Sequence, residues 1–249
     1  MSETLSLTAR CLRISRRQVD ALTTALLLPV ILMVLFVELF GGAIRTGAGH
    51  YVTYVVPGVI VLCAGFSSGL TAVAVCQDAS AGGLVDRLRS MDVPAAALLT
   101  GHVAASVARN VVSGLLVLLV GVALGFRPHA DALQGLEAVG ILLAVVLAVS
   151  WLAAAIGLAT RSPEAANGFT FLIMFLPYAS SAFVPVRTMP SWLRGFAGHQ
   201  PITPVTDALR ALLLGHPAGS AAWVGLVWCA GILAVSVLAS GVLYSARAR

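Results

Sequence analysis

Ten carboxylates, five histidines and four cysteines are the groups in this chain that could move a proton, hold a metal or form a disulfide, and their spacing suits none of these tasks. The acids are Glu3, Asp20, Glu38, Asp78, Asp86, Asp92, Asp131, Glu137, Glu164 and Asp207, and only Asp78, Asp86 and Asp92 share a segment. Acid–base or metal-assisted chemistry needs such groups to converge on one place. Cys11, Cys63, Cys76 and Cys229 include no C-x-x-C pair, so neither a disulfide framework nor a zinc site is expected. His50, His102, His129, His199 and His216 are equally dispersed and read as solvated or interfacial rather than as ligands. All 15 basic side chains are arginines. Without lysine the chain cannot carry G-x-x-x-x-G-K-[ST], the loop that cradles ATP phosphates.

Six long apolar stretches must position whatever these residues do: 21–40, 52–76, 103–126, 136–160, 168–184 and 222–244. Each is near or above the ~17–25 residues that cross a bilayer as a helix, the economical solution where the backbone must satisfy its own hydrogen bonds. With 59% hydrophobic residues, 10% charged residues and a mean hydropathy of +0.97, the expected class is an all-α polytopic membrane protein. Residues 1–249 read as a single membrane domain, because no segment between the spans is long enough to bury a soluble core of its own. The first stretch lacks a small-residue cleavage site and is expected to remain in the mature protein.

The net charge of +5 does not imply nucleic acid as a partner. The arginines sit at the ends of apolar stretches, not in one basic stripe interleaved with aromatics, so the lipid bilayer is the expected surroundings. With the N-terminus in the cytoplasm, Arg10, Arg13, Arg16, Arg17, Arg87, Arg89, Arg109, Arg161, Arg247 and Arg249 lie inside, and Arg45, Arg127, Arg187, Arg194 and Arg210 outside. That ten-to-five split favours both termini inside. The lysine-free, arginine- and alanine-rich composition suggests a high-GC bacterium and hence its inner, or cell, membrane.

Three further segments carry a pattern. Over residues 4–19, Leu5, Leu7, Cys11, Leu12, Ile14 and Val19 share one side of a helical wheel, with Arg10, Arg13 and Arg17 on the other. This reads as an interfacial amphipathic helix whose arginines face anionic headgroups, or as a solvated basic leader. Residues 77–102 hold Asp78, a turn at Gly82 and Gly83, and a short helix with Leu84, Leu88 and Met91 beside Asp86, Arg87 and Arg89. Such a helix lies on lipid or fits a partner's groove, and its mixed charge favours the partner. Residues 185–221, with Trp192, Leu193, Phe196 and Ile202, suggest helices lying in or dipping into the outer interface. There Thr203 is expected to cap a helix that Gly215 ends. Small residues at Gly65-x-x-x-Gly69 and Gly121-x-x-x-Gly125 would allow close helix approach.

Two of these segments carry a resemblance. The cytoplasmic run Asp78, Gly82, Gly83, Asp86-Arg87-Leu88-Arg89, Val93-Pro94, Leu98 and Gly101 is one. The external run Ser180-Ser181-Ala182-Phe183-Val184-Pro185, Met189-Pro190-Ser191-Trp192-Leu193, Pro201, Thr203, Asp207 and Arg210 is the other. In this order and topology the sequence resembles the ABC-2 family of ABC-transporter permeases, of the daunorubicin- and doxorubicin-resistance exporter type. Gln200 before Pro201, where many relatives carry asparagine, and Leu176 before Pro177, where an aromatic is common, depart from the pattern.

The resemblance implies six transmembrane helices, an N-terminal amphipathic helix, a cytoplasmic coupling helix between spans two and three, and re-entrant external helices before the last span. It implies no cofactor in this chain, with ATP and Mg on a separate nucleotide-binding ATPase subunit, and a second permease copy or a sister permease as further partner. Coupling to the ATPase would fall to Asp78, Gly82, Gly83, Leu84, Asp86, Arg87, Leu88, Arg89 and Met91. A substrate path along the dimer seam, lined in this class by spans one, two and five, would use Phe66, Ser67, Ser68, Phe171, Met174, Phe175, Tyr178 and Ser181. Glu38 joins them on its own account, since a carboxylate near the end of a span is costly unless it meets water, a partner or cargo. The implied cargo of such an exporter is a lipophilic or amphipathic drug, antibiotic or lipid. A lipid-linked glycan exporter, an integral membrane lipid or glycosyl transferase, and a passive channel are the alternatives, the last two lacking an acidic cluster or a filter-like loop.

Overall fold

The structure, a computed structural model, describes residues 2–17, 19–42, 50–80 and 95–246. The described residues form helices and connections with no strand: α1 (Ser2–Arg17), α2 (Val19–Phe40), α3 (Tyr51–Asp78), α4 (Ala95–Ala123), α5 (Ala132–Ala159), α6 (Pro163–Phe175), α7 (Ser191–His199), α8 (Ile202–Leu213) and α9 (Gly219–Ala246). Two short 3-10 turns, Pro177–Ala179 and Val186–Thr188, lie between α6 and α7. Five of the helices, α2, α3, α4, α5 and α9, are long and apolar enough to cross a membrane. The segment 81–94, which holds the expected coupling helix with Gly82, Gly83, Leu84, Asp86, Arg87, Leu88, Arg89 and Met91, lies outside the described residues.

Helix α3 is the axis of the bundle. It contacts α2, α4, α5, α6 and α8, while α9 stands outside against α5 and α8, and α1 lies along α4. Val55, Val56, Val59 and Leu62 of α3 are fully enclosed, together with Val117 of α4 and Phe126. Small residues let neighbours approach. A methyl built on Gly157 of α5 would stand 2.5 Å from Ala72 O, and one on Gly58 of α3 would stand 2.5 Å from Ala182 O. The outer helices turn apolar residues outward, among them Leu27, Ile31, Leu35 and Leu39 of α2 and Val227, Val235, Leu238 and Val242 of α9. In water such faces would aggregate; in lipid they are the ordinary surface.

Local signals account for several boundaries. Asp131 caps α5 through a reciprocal pair with Gln134, at 2.7 and 3.0 Å. Ser162 caps α6 with Pro163 and Glu164 in its first turn. Helices α4 and α8 both end in the same motif. Phe126 N donates to Gly121 O and Gly125 N to Val122 O; His216 N donates to Ala211 O and Gly215 N to Leu212 O. Gly125 and Gly215 supply the positive φ, 102° and 78°, that this 6→1 closure requires.

Several expectations are corrected here. Gly121-x-x-x-Gly125 is not a packing seam, because Gly125 lies beyond the end of α4; only Gly121 faces a neighbour, Val56. The third apolar helix starts at Ala95 rather than 103, which moves Arg109 from a boundary to mid-helix. The stretch 168–184 is not one helix: α6 begins at Pro163 and ends after 13 residues at Phe175. The Ser162-Pro163 start signal pulls the beginning forward, and Pro177, which has no N–H to continue the helical hydrogen bonding, ends it while Leu176 keeps helical angles. At about 20 Å, α6 alone is shorter than a ~30 Å hydrocarbon core. Thr203 does not cap α8, whose N-cap is Pro201.

Candidate functional site

At the end of the bundle where α1 lies, three helix faces enclose a polar pocket of about 240 Å3. Arg10 comes from α1, Asp78 from the last turn of α3, and His102 and Arg109 from α4. Arg10 grips Asp78 with both terminal nitrogens, at 3.1 and 3.2 Å, and His102 Nε2 lies 2.9 Å from Asp78 Oδ2. Hydrogen bonding to Asp78 holds the Arg10 guanidinium above its ordinary range, so it stays charged. Two readings change accordingly. Arg10 turns inward to a carboxylate instead of outward to headgroups, and His102 is buried and bonded rather than solvated. Leu7 and Cys11 of α1 are buried against α4, with Cys11 Sγ 3.3 Å from a methyl built on Gly101.

The far end is closed by a knot around the connection that follows α6. Tyr51 and Tyr54 of α3 donate their hydroxyls to Phe183 O and Ser181 O, at 2.9 and 2.8 Å. Arg210 of α8 lies 3.8 Å over the Tyr54 ring and donates to Tyr54 O, Ser181 O and Asp207 Oδ1. Ser181 Oγ donates to the same Asp207 oxygen at 2.7 Å. Thr203 works inside this knot, donating to Ala197 O and accepting from Ser181 N. Gln200 Nε2 donates to Leu176 O and Ala179 O, carbonyls in the 3-10 turn that follows α6.

Between these ends, α2, α3 and α6 border an apolar cleft of about 580 Å3. Of the residues expected to line a path, Phe66, Phe171 and Met174 meet there. Phe175 stands outside it, exposed beside Phe171 in an edge-on contact at 4.9 Å, and an aromatic series continues through Tyr178 and Phe183 to Phe36 and Phe40. Ser67, Ser68 and Ser181 are buried; Ser68 bonds Gly65 O one turn back and Ser181 belongs to the knot. Glu38 is exposed near the end of α2, away from the cleft. The structure thus joins three of the nine positions in one cavity and disperses the rest. Among the described residues no group of His, Cys, Asp and Glu could hold a metal ion.

A sequence model of the ABC-2 type transporter family matches residues 2–214, taking in α1, the cleft and the knot. The chain belongs to this family. It is 32% identical over 213 residues to the daunorubicin resistance ABC transporter permease protein DrrB1 of Streptomyces coeruleorubidus, covering 84% of this chain and 74% of that one. It is 26% identical over 247 residues to the probable doxorubicin resistance ABC transporter permease protein DrrC of Mycobacterium tuberculosis, covering 98% and 88%.

In this ABC-2 permease the residue that sequence reasoning passed over is Arg109. It is 9% exposed, two turns beyond His102 on α4, and donates to Ser15 Oγ, Thr71 Oγ1 and Ser67 O at 3.0, 2.7 and 3.3 Å. The signal was available, since an ionisable side chain inside an apolar helix marks a functional site by default. Hydropathy alone places Arg109 near a boundary, because the apolar run starts at Val103 whereas the helix starts eight residues earlier, at Ala95.

Proposed function

We propose that this permease is the membrane subunit of an ATP-driven exporter of lipophilic or amphipathic compounds, itself without catalytic activity. The similarity to a daunorubicin-resistance permease over 84% of the chain carries the reading. The cleft supports it: Phe66, Phe171 and Met174 offer apolar and polarisable contact suited to such cargo, and the exposed pair Phe171 and Phe175 extends that surface toward a second copy or a sister permease. With no lysine for a phosphate loop in this chain, ATP and Mg are assigned to a separate nucleotide-binding subunit.

In this account both termini are cytoplasmic and the protein sits in a bacterial inner membrane. Segment 81–94 docks on the ATPase subunit. Asp78 immediately precedes that segment and is clamped to Arg10, so a push there would move α1 and α3 together. Purification of the tagged permease from its own host, with mass spectrometry of what accompanies it, tests the assembly. The expected result is a Walker-type ATPase whose vanadate-sensitive activity persists in the complex. A permease that purifies without any nucleotide-binding protein under gentle conditions would sink the reading.

A further inference from the structure

The pocket enclosed by α1, α3 and α4 has an unbalanced charge. Asp78 is its one carboxylate, with both oxygens engaged by Arg10 and one also by His102. Among the described residues Arg109, on the floor, meets only neutral acceptors: Ser15 Oγ, Thr71 Oγ1 and Ser67 O. Its Nε, also buried, has no hydrogen-bond partner among the described residues, and the residue as a whole is 9% exposed. A guanidinium desolvated inside an apolar helix is costly unless an anion or water answers it. None of the described carboxylates is within ion-pair distance of it.

We infer that this pocket binds a single phosphate-type anion, with Arg109 at its base and Arg10 at its mouth. A guanidinium suits phosphate oxygens; Ser15 takes one hydrogen of Nη1, and Thr71 and Ser67 take those of Nη2, which leaves the second Nη1 hydrogen and the unpaired charge for the ligand. Arg10, whose side chain is 35% exposed, adds a second cation where the pocket opens. Ile14 and Leu70 supply an apolar wall, so the phosphate of an anionic lipid headgroup and free phosphate share the chemistry the pocket offers. This goes beyond the exporter reading and needs neither cargo nor ATPase for its test.

The test is isothermal titration of the full-length, delipidated chain in mild detergent with dihexanoylphosphatidylglycerol and, separately, with sodium phosphate. One saturable site per chain is expected. Arg109→Gln should weaken binding about tenfold or more, roughly 1.4 kcal/mol. Ser15→Asp, which sets a carboxylate beside the Arg109 guanidinium while keeping it, should do the same. Arg13→Gln, on the exposed side of α1, should leave binding unchanged. Binding of the lipid alone identifies a headgroup site, and binding of sodium phosphate as well identifies a general phosphate site. Gel filtration and melting establish that each variant is folded, and Ser15→Asp decides the matter if Arg109→Gln aggregates. No saturable binding of either probe would overturn the inference. So would binding that Arg109→Gln or folded Ser15→Asp leaves within about twofold, or that Arg13→Gln weakens equally.

Discussion

Replacing Arg210 with Met keeps much of the side chain's volume and removes the cation at the centre of the far-end knot. Three contributions are lost. The ion pair to Asp207 at 2.6 Å is worth about 0–1 kcal/mol, because the Asp207 side chain is 43% exposed to solvent. The donations to Tyr54 O and Ser181 O, at 3.1 and 2.7 Å, are worth about 1 kcal/mol each. This low value applies because Ser181 O keeps a second donor in the Tyr54 hydroxyl. Stacking on the Tyr54 ring adds about 0.5–1 kcal/mol. The sum is about 3 kcal/mol, against about 1 kcal/mol for Tyr54→Phe and at most about 1 kcal/mol for Asp207→Asn. Thermal melting of the detergent-solubilised protein reads the series. At about 2–4 °C per kcal/mol for a chain of this size, Arg210→Met should lower Tm by roughly 6–12 °C, Tyr54→Phe by about 2–4 °C and Asp207→Asn by no more than about 4 °C. An Arg210→Met protein melting within about 2 °C of the parent, or an Asp207→Asn protein as damaged as Arg210→Met, would refute the view that the guanidinium ties α8, the 180s segment and α3 together.

Other consequences follow from the same geometry. Asp78→Asn should loosen α1 from α3 and raise the rate of maleimide labelling at Cys11, which is 4% exposed, while Cys63 at 1% serves as the unchanged control. Gly58→Ala places a methyl 2.5 Å from Ala182 O and should cost about 1–3 kcal/mol by overpacking; Gly140→Ala, with nothing within 4 Å, should leave the melting temperature alone. Phe171→Ala combined with Phe175→Ala, both positions about half exposed, should reduce transport of a lipophilic dye without lowering Tm. Asp86→Ala with Arg87→Ala should leave the ATPase of the complex active but uncoupled from transport, and unchanged transport would remove the docking role given to segment 81–94.

The fold was legible where one physical signal dominated. Long apolar runs announced α2, α3, α4, α5 and α9, since only a helix is viable for such sequence in lipid, and the amphipathic pattern of residues 4–19 announced α1. The helices of residues 185–221 were visible from apolar residues such as Trp192, Phe196 and Ile202, and Gly215 ends α8 as expected, although Thr203 does not start it. Failures came where hydropathy overruled local signals. The run through Pro177 read as one span although Ser162-Pro163 and Leu176-Pro177 bracket a shorter helix. Gly121 and Gly125 looked like a packing pair because spacing alone does not reveal that one of them ends the helix.

Of the candidate site, the aromatic positions of α3 and α6 were legible by type, and Phe66, Phe171 and Met174 do meet. The polar networks were not. Ser181, Asp207 and Arg210 lie 26 and 3 residues apart and become one knot only when α8 folds back beneath the 180s segment. Arg10 and Asp78 are 68 residues apart, and nothing local to either predicts the clamp. Glu38 attracted notice as a lone carboxylate but stands exposed at a helix end, whereas Arg109 carries the buried charge.

As proposed above, this permease moves lipophilic cargo only when a separate ATPase drives it. Proteoliposomes holding the permease with its co-purified nucleotide-binding subunit, loaded with a lipophilic fluorescent cation, test it most directly. The expected result is dye movement that requires MgATP, stops with vanadate and disappears when either subunit is omitted. Movement that proceeds equally without nucleotide, or without the ATPase subunit, would contradict it and point to a passive pore.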